Sequence, residues 1–485
     1  MKQDITSKEL QEFADALSGD RSYVIARNAA TSMGVRSAAK NPIPYRTYRD
    51  TYSVSLTPTG EVTNQRKSGR CWLFAALNVL RDRMMSEMGV KSLELSQAYL
   101  QFFDKLEKAN LFLENMIRLV DRPIDDREVS LRLEAPVPDG GWWDMAVVLI
   151  EKYGVMPKAC MPDSANACAT SDLNELLFRK MRGVAMNMRA QAAAGADKDA
   201  LYALKKQALA DVYRMLCVAL GEPPATFDYD FVADELPAAK PEGDAGEVTP
   251  ESLAARKAAA ATDARFTRLT NITPQEFFAR YYHVNLHDYV GLGNIPGDTR
   301  PYGAILQLEN TGGVAGKPIR LLNEPIDVLK QAVIAQLKSG HPVWFACDVT
   351  KLLDRADKTG LLDTQSIDGE ALFGVDFAAC DGAPMSKAQS FDTHETNNNH
   401  AMTFQGVNLA EDGTPTAWRV ENSWGKENCK DGYFVMTDRY FDAYVGQVFV
   451  HRDYLPADVV AAWDSAQTPV VEVQPWQPLL FGCSD

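Results

Sequence analysis

The sequence predicts an α+β protein with two lobes, one mainly helical and one rich in β-strands. Apolar residues recur at helical spacing in the first 290 residues, for example at Leu73, Leu77, Leu80 and Met84. Beyond residue 290 the pattern changes to short β-like runs bounded by turn residues, such as HPVWFACDV and HAMTFQGVNL. Two-lobed proteins of this class commonly place the active site between the lobes, so we expect it there.

The helical elements are predicted from periodicity and end signals. Thr6 and Glu9 have capping-box spacing and begin an amphipathic N-terminal helix, which stops at Gly19. A second helix is predicted over residues 72–88, and another begins near Trp143 and stops at Gly154. Residues 174–224 contain two helical stretches around an Ala/Gly-rich break.

Residues 233–262 change composition to Pro, Gly, Ala, Glu and Lys, with almost no large apolar side chains. This pattern predicts a surface loop or a short exposed helix. The next helix is predicted in the stretch that begins Thr273-Pro274, because proline is favoured early in a helix.

Composition and charge exclude several classes of protein. The chain has 485 residues, 46% of them hydrophobic, and a net charge of −15 with no basic stripe, so nucleic acid is not an expected partner. The first twenty residues lack the apolar core of a signal peptide, and no apolar run is long enough to span a bilayer. We therefore expect a cytoplasmic protein that does not contact the membrane.

The eight cysteines are scattered and never form a CxxC pair, which argues against a disulfide scaffold or a zinc cluster. His283 and His287 have the i,i+4 spacing of a helical metal pair, but their neighbours indicate an extended or irregular segment. No metal site and no cofactor are predicted.

Four residues form a candidate catalytic set. Cys71 stands at the start of a helix, and Gln65 lies in the turn before it. Two β-like runs flank the turn 411–413, and antiparallel pairing about this turn places His400 and Asn422 opposite each other, or nearly so. An amide beside an imidazole can fix the orientation of the ring without adding charge.

These residue types suit cysteine catalysis. A helix N-terminus and an imidazolium both favour the Cys71 thiolate, and His400 would accept and later return the proton. Asn422 would orient His400, and Gln65 with the Cys71 N–H would bind the oxyanion. Trp424 would cover the His–Asn hydrogen bond from water.

Each residue also has an ordinary alternative role. A lone cysteine at the start of an apolar helix is usually structural, and a histidine before a strand usually packs in the core or lies at the surface. His394 is a rival base, but it has no Asn or Asp partner at hairpin distance.

The stretches NQRKSGRCW, NHAMTFQGV and VENSWG resemble the three catalytic blocks of papain-like cysteine peptidases. Ser68 stands where secreted relatives have a disulfide cysteine, and Arg70 takes the usual Ser/Ala position. These departures, and the long separation of Cys71 from His400, are similar to the bleomycin hydrolase / aminopeptidase C branch, and this resemblance covers nearly the whole chain.

The resemblance implies a cytoplasmic thiol aminopeptidase that acts on peptides with a free N-terminus and assembles as a homohexameric barrel. It implies a papain-like core with helical insertions, in which Cys71, His400, Asn422 and Gln65 take the family's functional positions. The segments it implies are an N-terminal segment (1–60), a helical lobe with the catalytic cysteine (61–160), a helical insertion (161–290), a β-rich lobe (291–455) and a C-terminal arm lying in the cleft (456–485).

Two alternatives stay open at this point. Gln477 stands where the family usually has an Asp, and the tail after it is long and carries Cys483. Such a tail could overfill the cleft or be trimmed, which would leave an endopeptidase or a self-trimming peptidase. The other alternative is a non-catalytic ring-shaped scaffold on the same fold.

Overall fold

The structure is a computed structural model that describes residues 4–234, 265–308, 318–353, 358–377 and 382–477. The helices in these ranges are α1 (Ser7–Leu17), α2 (Arg21–Met33), α3 (Val35–Ala38), α4 (Pro42–Thr47), α5 (Cys71–Met88), α6 (Gln97–Arg118), α7 (Arg127–Glu134), α8 (Trp143–Tyr153), α9 (Ala165–Cys168), α10 (Ser171–Ala193), α11 (Lys198–Leu220), α12 (Pro274–Tyr281), α13 (Ile326–Lys338), α14 (Gly369–Phe373), α15 (Lys387–Asp392), α16 (Asp438–Tyr444) and α17 (Ala457–Asp464). Short 3₁₀ turns lie at Lys158–Cys160, Leu286–Asp288 and Arg452–Tyr454. The strands are β1 (Val54–Ser55), β2 (Phe227–Val232), β3 (Phe266–Ile272), β4 (Tyr289–Gly293), β5 (Ile305–Leu308), β6 (Ile319–Asn323), β7 (Val343–Cys347), β8 (Leu361–Leu362), β9 (His400–Leu409), β10 (Pro415–Glu421), β11 (Tyr433–Thr437), β12 (Val445–His451) and β13 (Val470–Glu472).

The residues that predict helix ends in the sequence are found at the helix ends in the structure. Thr6 Oγ1 accepts a hydrogen bond from Glu9 N–H (3.2 Å), and the Glu9 carboxylate accepts one from Thr6 N–H (2.7 Å), so α1 begins with a capping box. α5 ends at Gly89, whose φ of 67° is the left-handed conformation that glycine adopts without strain. Gly154 follows α8 with a φ of 73° and a ψ of −166°, a different positive-φ conformation that is also open to glycine. The predicted bounds of these three helices are thus confirmed within a residue or two.

α5 is buried around most of its circumference and joins the two lobes. Of its side chains, Trp72, Leu73, Leu77 and Leu80 are all inaccessible or nearly so. A helix that is apolar on all sides is stable only inside a protein, which explains why this one lies in the centre of the fold. α6 packs against α5, and α10 and α11 pack against α6 around a separate apolar core that includes Phe102, Leu177, Met181 and Val212.

The β-rich lobe is built on one large sheet. Its strands follow the order β13-β5-β6-β4-β12-β7-β9-β10-β11-β8, and β1 pairs with β9 off this path. β7, β9, β10 and β11 pair antiparallel in succession, and α13 packs a second apolar cluster against them through Leu329 and Val333. His400 and Asn422 therefore come from the middle of the sheet, at one end of two adjacent strands.

The β9–β10 hairpin forms around the predicted turn, with a register that differs slightly from simple symmetry. The last paired residues are Glu421 and Thr403, and the partner of His400 in the sheet is Cys347 of β7. Register shifts between Pro415 and Ala417, and between Arg419 and Val420, displace the pairing. His400 and Asn422 are close neighbours at the end of the hairpin rather than a directly opposed pair.

Two features were not predicted from the sequence. β2 and β3 form an antiparallel hairpin on either side of the compositionally distinct stretch, and β13 adds to the sheet edge parallel to β5. The predicted loop at 233–262 lies outside the described residues except for its first two positions.

Candidate active site

Cys71 is the first residue of α5, so its side chain lies at the positive end of the helix dipole. The next residue, Trp72, anchors this end of the helix: its indole N–H donates to Asp139 O (3.1 Å), and its carbonyl accepts from Trp344 Nε1 (3.2 Å). A Cβ on Gly141 would lie 2.4 Å from the Trp72 ring, so a glycine is needed where this loop passes the helix. These contacts fix the position of the helix end that carries the Cys71 thiol.

α5 lies against the strands that carry the histidine. Thr403 Oγ1 of β9 donates to Ala75 O, one turn after Cys71 (3.4 Å), and Trp344 of β7 donates to Trp72 O. His400 is three residues before Thr403 on the same strand. Cys71 and His400 therefore belong to two elements that pack against each other.

His400 and Asn422 form a direct hydrogen bond, with 2.8 Å between His400 Nε2 and Asn422 Oδ1. Asn422 Oδ1 also accepts from Ser423 N–H (2.8 Å), which identifies this atom as the oxygen because a backbone N–H can only donate. His400 Nε2 must then carry the proton of the neutral ring. By elimination, Nδ1 is the ring nitrogen with the basic lone pair.

Gln65 is held next to the asparagine segment by Ser423. Gln65 N–H donates to Ser423 O (2.7 Å), and Ser423 Oγ donates to Gln65 Oε1 (2.6 Å). Gln65 Nε2 donates one hydrogen to Ser68 O (2.6 Å). The side-chain amide is therefore fixed in one orientation, with its oxygen toward Ser423 and its N–H₂ group toward Ser68 O. Sequence reasoning identified Gln65 but missed Ser423, although it directly follows the predicted Asn422.

The loop 137–141 is fixed beside Cys71 by two buried lysines of α6. Lys105 forms an ion pair with the Asp139 carboxylate, and Lys108 Nζ donates to Gly140 O (2.7 Å). Burial raises the pKa of Asp139, but Lys105 and hydrogen bonds from neighbouring side chains outweigh it and hold that pKa well below its usual range. These lysines were not predicted to matter, although charged residues inside an apolar helix pattern were a usable signal.

The four predicted residues are all buried. Their exposed fractions are 1% for Gln65, 0% for Cys71, 1% for His400 and 2% for Asn422. The Trp424 ring lies against the His400 ring, with centroids 5.1 Å apart at 42°. Water is thus excluded from the histidine–asparagine contact, and charge interactions at this point are stronger than at the surface.

The other histidines singled out from the sequence lie elsewhere. His394 is exposed, with a left-handed φ of 62°, and is not part of this cluster. His287 Nε2 lies 2.8 Å from a Glu151 oxygen, whereas His283 approaches Glu87, so the two rings face different partners. Among the described residues, no three His, Cys, Asp or Glu side chains are grouped as metal ligands, and no helix is both long and apolar enough to cross a membrane.

Comparison with known proteins places the chain in a family. The Peptidase C1-like family matches residues 4–256 and 258–480. Aminopeptidase C of Lactobacillus delbrueckii subsp. lactis is 37% identical over 480 residues, covering 99% of this chain and 98% of that protein. Aminopeptidase G of the same organism is 40% identical over 481 residues, covering 99% and 100%, and human bleomycin hydrolase is 33% identical over 483 residues, covering 98% of each.

A solved structure shows the same fold. The crystal structure of pepw from Lactobacillus rhamnosis HN001 superposes with a TM-score of 0.87 at 37% identity and covers 99% of both chains. This likeness confirms the predicted papain-like α+β fold. The chain is a member of the Peptidase C1-like family, in the branch of cysteine peptidases that includes aminopeptidase C and bleomycin hydrolase.

Proposed function

We propose that this protein is a cytoplasmic cysteine aminopeptidase that removes N-terminal residues from peptides by a Cys71–His400–Asn422 thioester mechanism. The observation that carries the mechanism is the 2.8 Å bond between His400 Nε2 and Asn422 Oδ1, in which Ser423 N–H fixes the asparagine oxygen. The relatives named aminopeptidase C support the substrate class.

Acylation begins with proton transfer from the Cys71 thiol to His400 Nδ1. The thiolate is favoured by the helix N-terminus and by the imidazolium that forms, and its sulfur attacks the first peptide carbonyl carbon. The carbonyl oxygen becomes an oxyanion, which the Gln65 side-chain N–H and the Cys71 backbone N–H stabilise. The C–N bond then breaks, His400 returns the proton to the leaving amine, and a thioester remains on Cys71.

In deacylation, water takes the place of the thiolate as the nucleophile. His400 Nδ1 takes a proton from water, whose oxygen attacks the thioester carbon, and the same two donors bind the second oxyanion. The C–S bond breaks, the sulfur recovers the proton, and the free amino acid leaves. Throughout, the neutral Asn422 holds the ring in position without the charge that a carboxylate would add.

The C-terminal arm supports restriction to a free N-terminus. After β13, Val473 N–H donates to Gln307 O (2.8 Å), and Gln474 N–H donates to Gln477 Oε1 (2.8 Å). The guanidinium of Arg127 lies 4.7 Å from the centre of the Trp476 ring. The arm is thus joined to the edge of the sheet through β5 and to the start of α7 through Trp476.

A cavity of about 490 Å³ separates this arm from the loop beside Cys71. Pro475 and Gln477 line one side of it, and Pro138, Gly140 and Trp142 line another. The described arm therefore ends close to the loop beside Cys71.

Burial of Cys71 favours a second candidate, a peptidase whose cleft is covered until the tail moves or is trimmed. Cys71 has an exposed fraction of 0%, as a covered cleft would give. This candidate uses the same catalytic residues but predicts low activity for the full-length chain.

Self-association as a homohexamer is also proposed. The described N-terminal helices leave large apolar side chains exposed, among them Leu10 (57%), Phe13 (59%) and Ile25 (61%). Such a surface is typical of a contact between subunits. A solution mass of about six times the 53.6 kDa of the chain supports this assembly, whereas a monomer mass contradicts it.

The test compares hydrolysis of an aminoacyl fluorophore that has a free amino group with that of its N-acetylated twin. Both substrates are given to the full-length protein and to a chain that lacks residues 478–485. Cleavage of the free amine alone by the full-length protein supports the aminopeptidase. Cleavage of both by it indicates an endopeptidase, and activity that appears only after truncation indicates the covered cleft. If neither form of the protein cleaves either substrate, the result contradicts an enzymatic function and favours the non-catalytic scaffold.

A further inference from the structure

A continuous set of hydrogen bonds leads from a buried ion pair to Gln65. Arg70 Nη1 donates to Asp163 Oδ1 (2.6 Å), and Arg70 Nε donates to Ser68 Oγ (2.9 Å). Ser68 Oγ in turn donates to Gln65 O (2.6 Å), and Gln65 Nε2 donates back to Ser68 O (2.6 Å). The four contacts are 2.6 to 2.9 Å long, and Arg70, Asp163 and Ser68 take no part in the chemistry described above.

One partner of the ion pair is the sequence neighbour of the proposed nucleophile. Arg70 immediately precedes Cys71, has an exposed fraction of 1%, and places its guanidinium 5.2 Å from the centre of the Phe74 ring. A buried guanidinium is costly unless it is paired and hydrogen-bonded. Burial raises the pKa of Asp163, but Arg70 and Lys158 outweigh it and keep that pKa below its usual range, so the pair stays charged.

The direction of the hydrogen bonds links the Arg70–Asp163 pair to the orientation of Gln65. Ser68 has one hydroxyl hydrogen, and because its oxygen accepts from Arg70 Nε, that hydrogen is directed to Gln65 O. Two hydrogen bonds between Gln65 and Ser68 thus close the turn 65–68. The planar guanidinium of Arg70 orients the Ser68 hydroxyl. Ser423 holds the other side of the Gln65 amide.

We infer that Arg70, held by Asp163, is a positioning residue that acts through Ser68 to place the Gln65 amide for oxyanion binding. This inference rests on the proposed role of Gln65 as an oxyanion donor. Donors of this kind must be placed within a fraction of an ångström, and their benefit falls steeply with misplacement. A merely structural ion pair would affect folding but would not act specifically through Gln65.

The test is a double-mutant cycle between Arg70→Met and Gln65→Ala, with kcat and KM measured on the free-amine substrate. Each single variant is expected to lower kcat about 10- to 100-fold, with KM changed less than about threefold. In the Gln65→Ala background, Arg70→Met is expected to lower kcat less than about twofold further. Independent, multiplying effects overturn the inference.

The matched control is Lys158→Met. Lys158 Nζ lies 3.2 Å from Asp163 Oδ2 and contributes to the same carboxylate, but it has no contact with Ser68. This variant is expected to keep kcat within about twofold of wild type. If kcat falls as much as it does for Arg70→Met, the charge balance at Asp163, rather than the link through Ser68, determines kcat. That result overturns the inference.

Ser68→Ala covers the case in which Arg70→Met does not fold. It removes only the hydroxyl and is expected to lower kcat as Arg70→Met does, again with no further loss in the Gln65→Ala background. Arg70→Lys keeps a positive charge but loses the planar fork, so the thermal midpoint should recover while kcat stays low. Full recovery of kcat by lysine overturns the inference.

Failure of the inference can be told apart from failure of the proposed mechanism. If Gln65→Ala leaves kcat unchanged, the oxyanion role of Gln65 is wrong, and the positioning role of Arg70 falls with it. If Gln65→Ala lowers kcat but Arg70→Met and Ser68→Ala do not, the mechanism stands and only the positioning role is overturned.

Discussion

The buried ion pair between Arg81 and Glu421 is expected to contribute strongly to the stability of the contact between the two lobes. Arg81 lies on α5 and Glu421 ends β10, next to Asn422, and both side chains have exposed fractions of 1% or less. Arg81 also donates to Glu61 O (2.8 Å), and Glu421 accepts from Gln405 Nε2 (2.7 Å). The proposed change is Arg81→Met, which keeps the volume and removes the charge.

The expected loss is about 3–5 kcal/mol in the free energy of unfolding, because one partner of a buried pair is left as an uncompensated charge. This is a large share of the roughly 5–15 kcal/mol that stabilises a typical protein. Burial already raises the pKa of Glu421, and Arg81 opposes that rise. Without Arg81 the carboxyl takes up a proton more readily, so the loss should shrink as the pH falls toward 5.

The assay is urea unfolding followed by tryptophan fluorescence at pH 7.5 and at pH 5. Lys8→Met is the control, because Lys8 pairs with Glu12 at the surface and its removal should leave the midpoint unchanged. Arg81→Met combined with Glu421→Gln should recover most of the stability, since no charge is left unpaired. A loss below about 1 kcal/mol at pH 7.5 for Arg81→Met, or no recovery in the double variant, would refute the reasoning.

Two further predictions concern the site and its supporting loop. Asn422→Ala should lower kcat about 10- to 100-fold while KM changes little, because His400 loses the acceptor that fixes its ring; unchanged steady-state kinetics would contradict this. The lowered pKa of Asp139 means that its carboxylate contributes stability above its ordinary pKa of 3.8, and that this contribution is lost as the pH falls further. Asp139→Asn should therefore unfold more easily at pH 7 and lose less stability than wild type between about pH 4 and pH 2, as measured by acid titration of the fluorescence.

Much of the fold could be predicted because its signals are local. The capping box at Thr6 and Glu9, the glycine that ends α5, and the turn at 411–413 each depend on residues a few positions apart. The hairpin argument brought His400 and Asn422 together correctly, but it could not foresee the register shifts of β10, because bulges depend on packing that local patterns do not contain.

The support of the site could not be predicted because its partners are distant in sequence. Ser423 and Gln65 are 358 positions apart, and Arg70 and Asp163 are 93 apart. Nothing in the spacing of such residues indicates that they meet. The short tail strand β13 was missed for a similar reason, since its partner β5 lies far earlier in the chain and pairs with it in parallel.

The most direct test of the central claim is a comparison of two buried cysteines, the proposed nucleophile Cys71 and Cys347, which is the partner of His400 in the sheet. Cys71 starts α5, whereas Cys347 pairs with His400 in the sheet, and burial raises the pKa of the Cys347 thiol, which stays protonated. The measurement is kcat/KM on the free-amine substrate for Cys71→Ala and Cys347→Ala. The mechanism predicts a fall of at least about 1,000-fold for Cys71→Ala and a change within about threefold for Cys347→Ala. Activity that survives Cys71→Ala would contradict it.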